Sequence, residues 1–290
     1  HMAFNGTEHF SKNELVNYLE RVGSRFGPDL NAYTSFDETV YMLQVRTDDV
    51  DQFDHGMLIL RDWANGISFD SAEIDKERGV VISEWRSGLS PDQRMQQQTL
   101  PILYYNSRYA RRLPIGDPEI VKTAPYDVVR RFYKDWYRPE LMALFVVGTI
   151  DPDEIEREIT QQFGTLKAKT PARVKEPNTV PDHSNTFARV VTDPEATNAN
   201  VQIIYNHRGS KINSLLDYRQ RLVENLYNRM LGRRLSDISK GANPPFIFGF
   251  TGYSQDVGDL ATYSSFAMMA PKDVRRAYQT LLDENQRVWQ

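Results

Sequence analysis

Cysteine is absent from the 290 residues, which excludes disulfides and thiol catalysis and says little about compartment. Long apolar runs are also missing. None approaches the ~20 residues needed to cross a bilayer, and the longest, Leu141 to Val147, reads as a buried core strand. Neither sign of charge dominates: 35 Lys and Arg face 39 Asp and Glu, for a net charge of -4. No basic surface therefore points to nucleic acid. What is present is ordinary material for folded cores, 40% hydrophobic residues with 11% aromatics. A chain of this length is better divided into two domains than packed around one core.

Helix signals are clear in the first third. Ser11 and Glu14 form a capping box, flanked by Phe10 and Leu15 as a hydrophobic staple. Leu15, Tyr18, Leu19 and Val22 make the apolar stripe, and Gly23 stops the helix. Residues 31–45 alternate in strand fashion around a polar turn near Ser35 to Glu38. Asp48 or Asp49 caps a second helix, with Val50, Phe53, Met57 and Leu60 on one face and Gly66 at its end. Asp70 opens a third, in a box with Glu73, and Pro91 interrupts or restarts it. Tyr126 to Trp136 is helical in pattern. Asp151-Pro152-Asp153-Glu154 opens a further helix that Gly164 closes.

Pro171, Pro177 and Pro181 lie in a stretch without periodicity, so residues 166–185 are expected to be a linker between domains at 1–165 and 186–290. Beyond it comes a helix around Leu215 to Leu235, strands near Phe246 to Tyr253 and Ala261 to Met268, and a helix opening near Lys272. The order helix, strand, strand, helix repeats that of Phe10 to Ala64, and Asp49-Val50 returns as Asp273-Val274. The pattern implies a weakly duplicated α+β unit. No His-Glu pair falls on the second copy's helix, so metal chemistry belongs to the first.

Hydrolytic zinc requires three protein ligands, an open position for water and a base. Helical HxxEH or HExxH motifs supply two histidines on one face beside a glutamate. The chain opens His1-Met2-Ala3-Phe4-Asn5-Gly6-Thr7, and further on reads Glu77-Arg78-Gly79-Val80-Val81-Ile82-Ser83-Glu84. Seven residues are close to two helical turns, so Glu77 and Glu84 share a face. By itself such a pair is most often a solvated helix face, and His1-Met2 has a second reading as a cloning remnant. His9 reads as a surface residue near the first cap, His55 as solvated or structurally paired, His183 as part of the linker, and His207 as following a strand. The segment from Arg25-Phe26-Gly27 through Asn31-Ala32-Tyr33-Thr34-Ser35 to Asp37-Glu38-Thr39-Val40-Tyr41 is, on its residues alone, a plain hairpin.

Taken together, these segments resemble the insulinase or pitrilysin (M16) family of zinc metallopeptidases, in its bacterial pqqL-like form. The opening is similar to the tail of that family's His-x-x-Glu-His motif, with the first histidine and the catalytic glutamate lying before His1. The resemblance implies Zn2+ as cofactor, His1 and Glu84 as metal ligands, and Glu77 as a supporting acid. Glu77 stays open as the alternative ligand, because the interval from His1 to Glu84 is longer than in better-known members. It also implies that Asn31, Ala32 and Tyr33 line the substrate site, on an edge strand that adds a peptide strand by β-augmentation.

The fold implied is α+β: two tandem M16-type (LuxS/metallohydrolase-like) units, each an antiparallel sheet packed with helices, the first lacking its leading strands. The implied activity is hydrolysis of peptides or unfolded polypeptides by metal-activated water, with a second M16 half, in the same or another chain, closing over the substrate. A chain without the first histidine and the general base is expected to be silent on its own. The alternative is a non-catalytic M16-like scaffold or peptide-binding subunit. Compartment is open, with a lean to the bacterial periplasm.

Overall fold

Local signals set most of the elements. Ser11 caps the first helix, α1 (Lys12–Arg21), and the reciprocal bonds of the box with Glu14 are both made. Strands β1 (Leu30–Thr34) and β2 (Thr39–Leu43) form an antiparallel hairpin in the register Leu30 to Leu43 through Thr34 to Thr39. Asp49, rather than Asp48, caps α2 (Val50–Asn65) by accepting from the Gln52 N–H, while Asp48 pairs with Arg46. Asp70 caps α3 (Ser71–Ser87), accepting from Ala72 and Glu73. That box is only half formed, because the Glu73 carboxylate goes to Lys12 and Lys76 instead. Pro91 restarts the chain as α4 (Pro91–Leu103), with Ser90 at its cap. Short α5 (Pro118–Thr123), then α6 (Tyr126–Trp136) and α7 (Pro152–Phe163), follow, the last capped by Asp151.

The computed structural model describes residues 1–25, 27–209 and 211–288, so Phe26 of the Phe-Gly pair lies outside the described residues. The chain divides into two compact units, His1–Gly88 with Leu113–Glu176, and Leu89–Arg112 with Pro177–Gln290. In the first, Ala3, Leu15, Tyr18, Leu19, Leu30, Ile59 and Trp63 form the core, and Phe69, Ile74 and Tyr133 form a neighbouring cluster. The buried face of α2 is Gly56, Met57, Ile59, Asp62 and Trp63, whereas Val50, assigned to that face by its spacing, is 71% exposed. Gly56 is needed for this packing: a Cβ there would meet Val45 Cγ1 at 2.6 Å.

The second unit is built on a three-stranded antiparallel sheet, β3 (Ala199–Arg208), β4 (Phe248–Val257) and β5 (Leu260–Met269), in the order β3-β5-β4. His207 therefore lies within a strand rather than after one. One face of the sheet, including Ala267 and Met269, packs on Leu235 of α8 (Leu215–Ser239) and on Ala277 and Leu281 of α9 (Val274–Arg287). Alternation places Phe266 on the other face, beside Phe248 and Phe250. Buried Glu284 joins the two helices by pairing with Arg234 and Arg287, each at 2.7 Å.

The apolar run at 141–147 is not a strand. A single 3-10 turn, Pro139–Leu141, is followed by irregular chain, with Leu141 61%, Phe145 84% and Val147 95% exposed. A strand needs a hydrogen-bonding neighbour as well as an apolar face. Among the described residues the first unit contains only the β1-β2 pair, and residues 141–147 join neither. Elsewhere the mixed, antiparallel α+β architecture follows the expectation.

Candidate metal centre

His1 precedes a 3-10 turn, Met2–Phe4, whose Phe4 N–H donates to the His1 carbonyl at 3.1 Å. The Asn5 side-chain amide donates to the same carbonyl at 3.3 Å. From there the imidazole reaches α3. Its Nδ1 lies 3.0 Å from Glu77 Oε2, and its Nε2 lies 3.1 Å from Glu84 Oε2. The two carboxylates, seven residues apart, thus meet the two nitrogens of one ring. Glu77 is the more enclosed, with 18% side-chain exposure against 57% for Glu84.

The helix bearing the carboxylates is anchored along its opposite flank. Arg78 donates to the backbone carbonyls of Val121 and Ala124. Tyr126, beneath the guanidinium groups of Arg78 and Arg130, donates its hydroxyl to Asp75 at 2.6 Å. That bond to a carboxylate holds the phenol pKa above its ordinary value. Arg130 in turn donates to the Phe69 carbonyl and Ser71 hydroxyl at the start of α3. These contacts tie α3 to α5 and α6, and none is apparent from sequence spacing.

A neutral imidazole carries one N–H and can donate to only one carboxylate. Contacts at both nitrogens therefore call for a second proton, or for a cation shared by Nε2 and Glu84. The donor set partly fits zinc. Two ligand atoms on a tetrahedral zinc ion lie ~3.3 Å apart, close to the 3.1 Å between Nε2 and Glu84 Oε2. A carboxylate on Nδ1 is the usual arrangement that fixes the tautomer of a ligating histidine, and Glu77 is placed for it. Two donors do not complete a site, however. Among the described residues, no group of three or more His, Cys, Asp and Glu side chains is disposed to hold a metal.

The other histidines are accounted for by ordinary partners. His55 stacks on Tyr18 with ring centroids 5.0 Å apart, and His183 packs against Tyr105 and Phe187. His207 meets the edge of Tyr253. His9 is not simply a surface group: its Nδ1 lies 2.8 Å from the buried Asp62 carboxylate. Sequence reasoning missed Asp62. The available signal was an acidic residue one position before Trp63 on a helix face that also carries Ile59.

Asn31, Ala32 and Tyr33 lie on β1, whose only partner strand among the described residues is β2. The other edge of β1 meets no strand but is bonded at its start, where the Leu30 N–H donates to the Arg25 carbonyl and the Leu30 carbonyl accepts from the Gly27 N–H. Asn31 Oδ1 accepts from the Ala32 N–H at 2.9 Å, and Tyr33, 47% exposed, reaches Glu38 with its hydroxyl.

Similarity to known proteins extends over most of the chain. The family model for insulinase (peptidase family M16) matches residues 1–113, and that for the peptidase M16 inactive domain matches residues 123–287. "Probable zinc protease PqqL" of Haemophilus influenzae is 32% identical over 83% of this chain and 26% of its own length. "Zinc protease PQQL-like" of Arabidopsis thaliana is 32% identical over 85% of this chain and 26% of its own. The chain thus spans about a quarter of the length of these relatives. The solved first half of the periplasmic protease PqqL from Escherichia coli superposes with a TM-score of 0.85 at 28% identity, covering 98% of this chain and 61% of that one. With the inactive-domain model spanning more than half of its length, the chain belongs to the M16 (insulinase) peptidase family, as a PqqL-like member.

Proposed function

We propose that the protein containing this chain is a zinc-dependent endopeptidase acting on peptides or unfolded polypeptides. The observation that carries the reading is the His1 ring held between Glu77 and Glu84. In this reading Nε2 of His1 and the Glu84 carboxylate are ligands, and Glu77 holds the Nδ1 proton so that Nε2 presents its lone pair. Zinc, when bound, supplies the Lewis acidity that lowers the pKa of a water molecule. Substrate lies along the outer edge of β1 beyond Leu30, in extended form, past Asn31, Ala32 and Tyr33. The division into a metal-site domain at 1–165, a linker at 166–185 and a second domain at 186–290 belongs to this proposal, as does closure by a second M16 half. So does a periplasmic location, supported by the solved Escherichia coli relative, which is described as periplasmic.

Residues 1–290 contain no His-x-x-Glu-His sequence, and in this reading they supply two of three ligands and not the base. We expect residues 1–290 alone to bind zinc weakly and to cleave nothing. The full-length protein is expected to cleave an unfolded polypeptide in a chelator-sensitive manner. His1→Ala and Glu84→Ala should each weaken zinc binding by more than about 100-fold, since outer partners of ligands alone are worth about 10–100-fold. Full zinc affinity in both variants would leave the scaffold or peptide-binding alternative standing.

A further inference from the structure

The segment bearing His1 is fastened by two consecutive residues of α2. Asp62 is 1% exposed. Its Oδ2 accepts from the Thr7 hydroxyl at 2.6 Å and from the His9 backbone N–H at 3.0 Å, and its Oδ1 lies 2.8 Å from His9 Nδ1. Trp63, also 1% exposed, donates its indole N–H to the Ala3 carbonyl at 2.9 Å and meets the Phe4 ring edge-on at 5.4 Å. Between these anchors the backbone turns at Gly6, with φ 113, where a Cβ would meet Ser68 Oγ at 3.1 Å. The Gly6 carbonyl accepts from the hydroxyl and the N–H of Ser68, and Thr7 bridges to Ile67.

An ionised carboxylate is costly to bury unless donors converge on it. Asp62 meets that condition with groups drawn entirely from Thr7 and His9. A helix has no need of such a residue for its own stability, and the backbone of α2 would form as well around an apolar side chain at this position. What the carboxylate does provide is a fixed location for the Asn-Gly-Thr stretch, six residues from the His1 ring at Thr7. The Trp63 bond to Ala3 closes the other end. Together they restrict the backbone from which the imidazole projects toward Glu77 and Glu84.

We infer that Asp62 is a positioning residue for the His1 imidazole, acting through Thr7 and His9. The inference rests on the reading of His1 as a metal ligand. It is tested in the full-length protein by zinc affinity, measured in competition with a chromophoric chelator, for the native protein, His1→Ala, Asp62→Ala and the double variant. Melting temperature is read in parallel. Asp62→Ala is expected to weaken zinc binding about 10–100-fold in the native background, the range for groups that orient a ligand. In the His1→Ala background it should cost less than about 3-fold, because effects routed through one residue are not additive. Native affinity in folded Asp62→Ala, or an equal loss in both backgrounds, overturns the inference. Native affinity in His1→Ala overturns instead the ligand reading beneath it. Should Asp62→Ala fail to fold, Thr7→Val removes the 2.6 Å hydroxyl bond to Asp62, together with the longer contacts of that hydroxyl to the Phe10 carbonyl and N–H, and carries the same cycle; native affinity in that variant is then the overturning result.

Discussion

The His1 ring is the residue on which the chemistry turns, and its two contacts differ in kind. Glu77 is enclosed and meets Nδ1, whereas Glu84 is more exposed and meets Nε2. An enclosed carboxylate is suited to orienting the ring, and an accessible one to sharing a metal open to water and substrate. Glu77→Gln separates these roles, since glutamine keeps the shape and one acceptor oxygen but loses the charge. We expect zinc affinity to fall about 10-fold or more with little change in melting temperature, as for other partners of ligating histidines. A variant that binds zinc normally but melts early would make Glu77 a structural residue. The placement of Glu77 and Glu84 on one helix face was legible from their spacing alone. That a histidine would lie between them came only from family resemblance, since nothing in the local sequence links positions 1 and 77. Asp62 was illegible for a related reason: it sits between Arg61 and Trp63, and its partners Thr7 and His9 are 55 and 53 residues away.

At the scale of elements, the ends of helices were read well because capping is local. Ser11, Asp49 and Asp151 each accept from an N–H two or three residues ahead. The run at 141–147 was misread because composition reports apolar content and not pairing, and pairing is decided by chain elsewhere. β1 is the converse case, a strand with one partner strand among the described residues and an outer edge engaged at Leu30 by Arg25 and Gly27 and at the Ala32 N–H by Asn31. If substrate adds to that edge, its own N–H and C=O groups carry part of the affinity, and only alternate residues face β1. N-methylation of successive positions in a peptide substrate should therefore weaken binding in alternation. Each lost bond is worth about 1 kcal/mol, or about 5-fold in affinity. Competition binding against the unmodified peptide reads this directly. A loss that is uniform along the peptide, or absent, would exclude strand addition and leave side-chain pockets to hold the substrate.

For the whole molecule, the repeated order of elements is the feature that sequence carried furthest. α1, β1, β2 and α2 in the first half recur as α8, β4, β5 and α9 in the second. Even the aspartates match in position, although Asp49 bonds the Gln52 N–H while Asp273 ends a 3-10 turn and makes no side-chain cap bond. The repeat does not make the two units alike in what holds them. The second is braced by Arg94 of α4, whose guanidinium grips Asp193 at 2.6 and 2.7 Å and reaches Glu195 at 2.6 Å. The hydrogen bonds from Arg94 hold the Asp193 pKa below its ordinary value. A carboxyl whose folded pKa is depressed favours the folded state fully above its unfolded value of about 3.9, and that contribution is lost as pH falls through the lower folded value. Arg94→Met should therefore unfold at lower urea than the native protein near neutral pH. The gap between their midpoints should close progressively as the pH is lowered below about 4. A gap that persists undiminished at low pH would show that Arg94 stabilises this unit through packing of its aliphatic stem and its bond to the Leu89 carbonyl, rather than through its charge.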